Sequence, residues 1–203
     1  VVLSNNDGNV IARSAEAKKL GIGMGVLSGS VREFVQSHGL HIRSSNYALY
    51  GDMSSRVMET LEQLLPNVER YSIDEAFADV SGLSRDRLVE LCHLVSSRVL
   101  RHTGIQVSIG VARTKTLAKV ANSMAKRRQE LAGVCIGTEP LSFSRVLEQM
   151  DTGDVWGVGK KISRKLAELG ITTARQLRDA EPEWIKRRFS VVLMRTVLEL
   201  HGE

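Results

Sequence analysis

The chain has 203 residues, of which 42% are hydrophobic, enough to bury a real core as one large domain or two small ones. No apolar run approaches a membrane span, and the opening Val-Val-Leu-Ser-Asn-Asn-Asp-Gly has neither the basic start nor the small-residue cleavage site of a signal peptide, although no starting Met is present. The formal charge of +5 is uneven: 11 Lys/Arg stand against 12 Asp/Glu in residues 1–112 and 17 against 11 in residues 113–203, a basic excess that fits either a phosphate-backbone partner or a solvated helical surface.

Residues 1–3 and 10–12 are short apolar runs joined by Ser-Asn-Asn-Asp-Gly-Asn, a composition that predicts a hairpin turn. Asp7 belongs to that turn and is not expected to ligate metal. From Ser14 a helical pattern carries Glu16, Lys18 and Lys19 and stops at Gly21. Gly21, Gly23 and Gly25 lack the preceding strand and following helix of a dinucleotide fingerprint, so they read as loop. A short helix over 31–38 ends at Gly39, and 41–44 reads as a strand. His38 and His41 have no Cys or carboxylate at ligand spacing, which argues against zinc.

Tyr50, Met53, Val57, Leu61 and Leu64 recur at three and four residues and predict an amphipathic helix over 46–65, closed by Pro66. Next comes Tyr-Ser-Ile-Asp-Glu-Ala-Phe-Ala-Asp-Val, residues 71–80, which suits two short strands meeting at a tight turn with Asp74 and Glu75 at its tip. Adjacent carboxylates repel unless a cation or a retained proton lies between them. Because Mg²⁺ is usually held by one or two carboxylates plus substrate phosphates, the pair can form half of a phosphoryl-transfer site. For an isolated Asp-Glu pair the ordinary alternative is a solvated turn. A helix over 84–102 turns Leu88, Leu91, Cys92, Val95 and Val99 inward, and a strand over 105–112 alternates Ile105, Val107, Ile109 and Val111 with smaller or polar residues. The order helix, strand, strand, helix, strand matches a βαββαβ unit in all but its first strand, giving an α+β, ferredoxin-like fold. In the helix over 114–126, Leu117, Val120, Ala121 and Met124 share one face, while Lys115, Lys119, Asn122 and Lys126 form a cationic stripe on the other. That stripe is either a solvated face or a grip on an anionic substrate tail. Residues 133–136 read as an edge strand. Cys92 and Cys135 lie in apolar runs, where a small buried hydrophobe in a reducing cytosol is the ordinary expectation.

After Pro140 the composition turns helical and basic, which places a domain boundary near residues 137–140. The run Asp-Val-Trp-Gly-Val-Gly-Lys-Lys from Asp154 sets Gly157 and Gly159 directly before a Lys/Arg-rich helix, the makings of a helix-hairpin-helix whose helix N-terminus binds backbone phosphate. A P-loop is the competing reading, but Lys160 is followed by Lys161 and not by Ser or Thr. Helices over 173–180 and from Pro182 onward complete a small all-helical domain.

Taken together, Ser-Ile-Asp-Glu-Ala-Phe, Thr-Lys-Thr-Leu-Ala-Lys-Val-Ala-Asn and Trp-Gly-Val-Gly-Lys resemble the Y-family lesion-bypass DNA polymerases. Ser-Asn-Tyr-Ala-Leu-Tyr-Gly-Asp-Met-Ser and the opening Leu-Ser-Asn-Asn-Asp-Gly-Asn-Val-Ile-Ala-Arg are similar to the bacterial UmuC branch in particular. The resemblance implies fingers over 1–46, palm over 47–137 and a helix-hairpin-helix thumb over 138–203. It implies two Mg²⁺ ions held by Asp74 and Glu75 with a further N-terminal Asp, and triphosphate contact by Lys126. At the fingers positions that carry Tyr and Arg elsewhere in the family stand Ala15 and Lys18; Lys18 keeps the charge without the bidentate fork, and Ala15 cannot reach. Gly157, Gly159, Lys160 and Lys161 are the expected duplex contacts. The family's first palm strand and its C-terminal little finger have no counterpart here, so the expectation is a fragment of a longer enzyme, inactive alone. The implied activity is Mg²⁺-dependent nucleotidyl transfer in SOS mutagenesis. Implied partners are primer-template DNA, a deoxynucleoside triphosphate, accessory subunits of the UmuD type, a recombinase filament and a sliding clamp, in the cytoplasm at the nucleoid with no membrane. The rival readings are a nucleotide cyclase-type palm, which has no duplex to grip, and a non-catalytic DNA-binding scaffold.

Overall fold

The computed structural model describes residues 1–137 and 143–203. Two compact units divide the chain, Val1–Ser54 and Ser55–Glu203.

In the first unit β1 (Val2–Ser4) pairs antiparallel with β2 (Val10–Arg13). Asn5 closes the intervening turn by accepting the Asn9 amide on its side-chain oxygen at 2.8 Å, the hairpin that the Asn-Asn-Asp-Gly run predicts. Ser14 caps α1 (Ala15–Lys19), and a 3₁₀ turn at Ser28–Val31 leads into α2 (Glu33–His38). The chain then returns as β3 (Ile42–Ser44), parallel to β1, giving the order β2-β1-β3. Val2, Val10, Ala17, Ile22, Val31 and Leu40 form this unit's core. The amphipathic helix α3 (Tyr47–Leu64) begins here and continues into the second unit.

In the second unit β4 (Val68–Arg70) pairs antiparallel with β5 (Ala76–Ala78) in the register Val68↔Ala78 and Arg70↔Ala76. Helix α4 (Arg85–Thr103), capped by Ser84, leads to β6 (Ile109–Ala112), α5 (Lys115–Arg127) and β7 (Val134–Gly137). Strands β6 and β7 pair in parallel. The helix, strand, strand, helix, strand order expected of the ferredoxin-like unit is therefore present. Among the described residues its strands form two separate ladders, β4-β5 and β6-β7. The expected strand over 105–112 is shorter by four residues. Thr103 captures the Ile105 amide at 3.1 Å, and the partner strand supplies only residues 134–137, so alternation continues where no ladder exists.

The pleat of β6 explains the packing on its two faces. Val111 faces Leu88 and Cys92 of α4, with Ile109, Val134 and Ile136 around them. The small residue Gly110 faces α5, where a Cβ would lie 2.2 Å from the Asn122 amide nitrogen and 2.4 Å from the Ala118 carbonyl oxygen. Helix and strand thus meet backbone to backbone, and the Asn122 side chain locks the contact by donating to the Ser108 carbonyl at 2.6 Å.

The last part is helical: α6 (Ser144–Gln149), α7 (Lys160–Glu168), α8 (Ala174–Arg178), α9 (Pro182–Arg188) and α10 (Val191–His201). Thr173 and Gln176 make a capping box on α8, and Pro182 occupies the first turn of α9, as its position in the sequence predicts. Leu117, Val120, Ala121 and Ala125 of α5 share one core with Leu147, Leu166, Leu177, Ile185, Leu193 and Val197. The expected boundary between residues 137 and 138 adjoins 138–142, outside the described residues. Among those described, no helix is long and apolar enough to cross a membrane.

Candidate active site

Asp74 and Glu75 lie in the turn between β4 and β5. The Tyr71 and Ser72 amides both donate to the Glu75 carbonyl at 3.0 Å, closing a loop whose outermost side chains are those of residues 72–74. The Ser72 hydroxyl donates to an Asp74 carboxylate oxygen at 2.7 Å. The strands begin at Val68 and end at Ala78, so the apolar residues Tyr71 and Ile73 belong to the turn and not to a ladder. Asp74 is exposed and Glu75 partly buried.

The lysine stripe of α5 faces this hairpin. Lys119 Nζ donates to Glu75 Oε1 at 2.5 Å, and Lys115 pairs with Glu69 on β4. Each ammonium also lies over an aromatic ring, Lys119 5.9 Å from the Tyr71 centroid and Lys115 5.2 Å from that of Phe77. The stripe therefore pairs with two acids of the hairpin, Glu75 and Glu69. Lys126, one turn of helix from Asn122, is exposed and lines a cleft of about 270 Å³ together with Glu75, Lys119, Ser123, Asp154 and Trp156. Arg127 lies 3.9 Å from Asp154 at the rim.

The Gly157 and Gly159 segment is built as a turn into α7. Gly157 has φ +86°, a conformation that side chains rarely adopt, and Gly159 is the N-cap of α7 with open space around its Cα. Val155 and Val158 are buried, and the Val158 amide donates to the Val155 carbonyl at 3.0 Å, so the turn is anchored from inside. Lys160 and Lys161 are exposed in the first turn of α7, where unpaired amides and the helix dipole favour an anion.

Lys18 is exposed on α1 in the first unit. The structure thus brings together Glu75, Lys119 and Lys126 at one cleft and sets the 157–161 turn next to them through Trp156, while Asp74 adjoins Glu75 in the turn with its carboxylate on the Ser72 hydroxyl. Sequence reasoning missed that last connection. Trp156 Nε1 donates to the Tyr71 hydroxyl at 3.2 Å across 85 residues, and the rings of Tyr71, Phe77 and Trp156 lie 5.5–5.6 Å apart. It also missed Glu199 of α10, whose carboxylate accepts the Thr116 amide at 2.8 Å and the Thr116 hydroxyl at 2.7 Å at the start of α5. No local pattern signals either contact.

Chemically, two adjacent carboxylates on a rigid turn are a donor set for a hard divalent cation. Among the described residues there is no cluster of three or more His, Cys, Asp or Glu that could hold a metal; Mg²⁺ is commonly held by one or two carboxylates with phosphate oxygens and water. Acids, flanking lysines and the exposed first turn of α7 are groups whose chemistry suits a divalent cation and phosphate-bearing ligands.

Residues 1–123 match the impB/mucB/samB family, and the chain belongs to that family. It is 48% identical over its whole length to Protein UmuC of Salmonella typhimurium, of which it covers 49%. To DNA polymerase IV 2 of Mesorhizobium japonicum it is 37% identical, over 84% of this chain and 40% of the relative. Among solved structures, DinB from Sulfolobus solfataricus superposes with a TM-score of 0.80 at 25% identity, over 98% of this chain and 58% of DinB. The chain spans about half the length of the curated relatives it matches.

Proposed function

We propose that this chain is the fingers (1–46), palm (47–137) and thumb (138–203) portion of a translesion DNA polymerase that works in SOS mutagenesis. The observation that carries the reading is the shared cleft of Glu75, Lys119 and Lys126 beside Trp156, which adjoins the 157–161 turn: this supports a reading in which a metal-binding acid, triphosphate-binding cations and a duplex-binding turn act together. Relatives named as DNA polymerases support it over a cyclase-type palm or a non-catalytic scaffold.

In this reading Asp74 and Glu75 hold two Mg²⁺ ions, which supply Lewis-acid stabilisation of the transferring phosphoryl group. Glu75, which here accepts from Lys119, would be one carboxylate holding such an ion, and Lys119 would then be a cation available to the phosphates. Lys126, with Lys18 from the fingers, neutralises the triphosphate tail as a point charge. Gly157, Gly159, Lys160 and Lys161 hold duplex phosphate, which sets position without reading sequence. UmuD-type subunits, a recombinase filament, a sliding clamp and a cytoplasmic, nucleoid-associated location belong to the same proposal.

The test uses the full-length protein. Asp74→Ala and Glu75→Ala are each expected to lower nucleotide addition by more than about 100-fold while primer-template affinity stays within about twofold. Activity within about tenfold of wild type in both variants would overturn the assignment. Replacing Lys160 and Lys161 together by Ala is expected to weaken DNA binding equally on unrelated sequences and to flatten the slope of log affinity against log salt by about one to two. An unchanged slope would place those lysines away from the duplex.

A further inference from the structure

The Trp156 indole stands between two segments with different tasks. On one side it belongs to the turn it opens: Val155 before it and Val158 two residues after it are buried, and Gly157 between them has φ +86°, so its backbone is anchored in that turn. On the other side it meets Tyr71 in an edge-on contact at 5.5 Å and a hydrogen bond of 3.2 Å. Tyr71 in turn reaches Glu75 twice. Its backbone amide donates to the Glu75 carbonyl at 3.0 Å, and its ring lies under the Lys119 ammonium that holds the Glu75 carboxylate at 2.5 Å. Phe77, 5.6 Å from both rings, completes the aromatic cluster.

We infer that Trp156 is a positioning residue: through Tyr71 it ties the 157–161 turn to the acid turn, so that engagement of duplex backbone by the first sets the placement of Asp74 and Glu75 in the second. The inference rests on the polymerase reading above and adds to it a route by which a correctly seated duplex is sensed at the metal-binding acids. A cluster that merely filled space would need the rings alone. Here the indole N–H and the phenol hydroxyl are joined as well, and that bond can be removed with both rings retained.

The experiment compares wild type, Trp156→Phe, Tyr71→Phe and the double variant in the full-length protein. Each single variant is expected to lower kcat for nucleotide addition about threefold to tenfold, the loss of one hydrogen bond, with primer-template affinity within about twofold. The double variant is expected to be no worse than either single one, because both remove the same bond. Amide exchange supplies a readout that a purely structural role would not move. Saturating primer-template DNA is expected to slow exchange at the Tyr71 and Ser72 amides in wild type and to leave it unchanged in Trp156→Phe. Unchanged kcat in both single variants, multiplicative losses in the double, or equal protection by DNA in Trp156→Phe would each overturn the inference. The pair Lys160→Ala with Lys161→Ala separates the two levels. Weakened DNA binding there, combined with wild-type behaviour of Trp156→Phe, defeats the tie alone; unchanged DNA binding there defeats the duplex-grip reading and the tie with it.

Discussion

A methyl group at position 110 has nowhere to go, because the Asn122 amide nitrogen and the Ala118 carbonyl oxygen already occupy its place at 2.2 and 2.4 Å. Both are helix backbone atoms and cannot swing aside as a flexible side chain would. Gly110→Ala is therefore expected to destabilise the second unit by about 3 kcal/mol or more, read from urea unfolding, and an unchanged midpoint would show that α5 can move off the strand. The two thiols make a second residue-scale test. Burial pushes the Cys92 thiol up to about 11 from an ordinary 9.0, and raises that of Cys135 as well. The folded state thus keeps a proton that the unfolded chain releases. The stability linked to Cys92 is fully present below about pH 9 and declines as pH rises toward 11. At pH 8 iodoacetamide is expected to label native Cys92 about 100-fold more slowly than Cys92 of the urea-unfolded chain, since two pKa units remove that factor of thiolate. Rapid labelling of native Cys92 would contradict its burial.

At the scale of elements, α5 has an unusual N-terminus. Thr114 caps it locally by accepting the Leu117 amide at 3.3 Å, while Glu199, 83 positions from Thr116, supplies a carboxylate to the Thr116 amide and hydroxyl. A negative group there satisfies an orphan donor and complements the helix dipole. Glu199→Ala is expected to lower stability by about 1–2 kcal/mol in thermal unfolding, with Glu199→Gln intermediate because it keeps the acceptor and loses the charge. Helices were the most legible part of this sequence, since Ser84, Gly104, Thr173 and Pro182 punctuate them locally. Strand 105–112 came out too long because alternation reports which face a residue would present, not whether a partner strand is there. In the candidate site the acids and Lys126 were legible from local motifs. The pairing of Lys119 with Glu75, of Glu199 with Thr116 and of Trp156 with Tyr71 spans 44 to 85 residues, and only the tertiary fold decides such partners.

At the scale of the whole molecule, β5 and β6 each use one edge in a ladder among the described residues. The βαββαβ order calls for one more strand, which would pair both. Amides of β6 in the isolated 203-residue chain are expected to exchange faster than in the full-length protein, and equal strong protection in both would show that no such strand is needed. The sharing of α5 has a different consequence. Its apolar face is built into the core of α6 to α10 while its Gly110-facing side is seated on β6, so the helical part is not a detachable module. Grafting a relative's residues 143–203 onto this chain would carry over Leu147, Leu166 and Val197 without the helix they were fitted to. A workable chimera would have to move its junction upstream of Lys115, taking the lysine stripe along. Recombination between relatives would thus tend to inherit α5 with its lysine stripe and the 157–161 turn as one block, and an acid turn from the other parent would have to match Lys119 and Trp156.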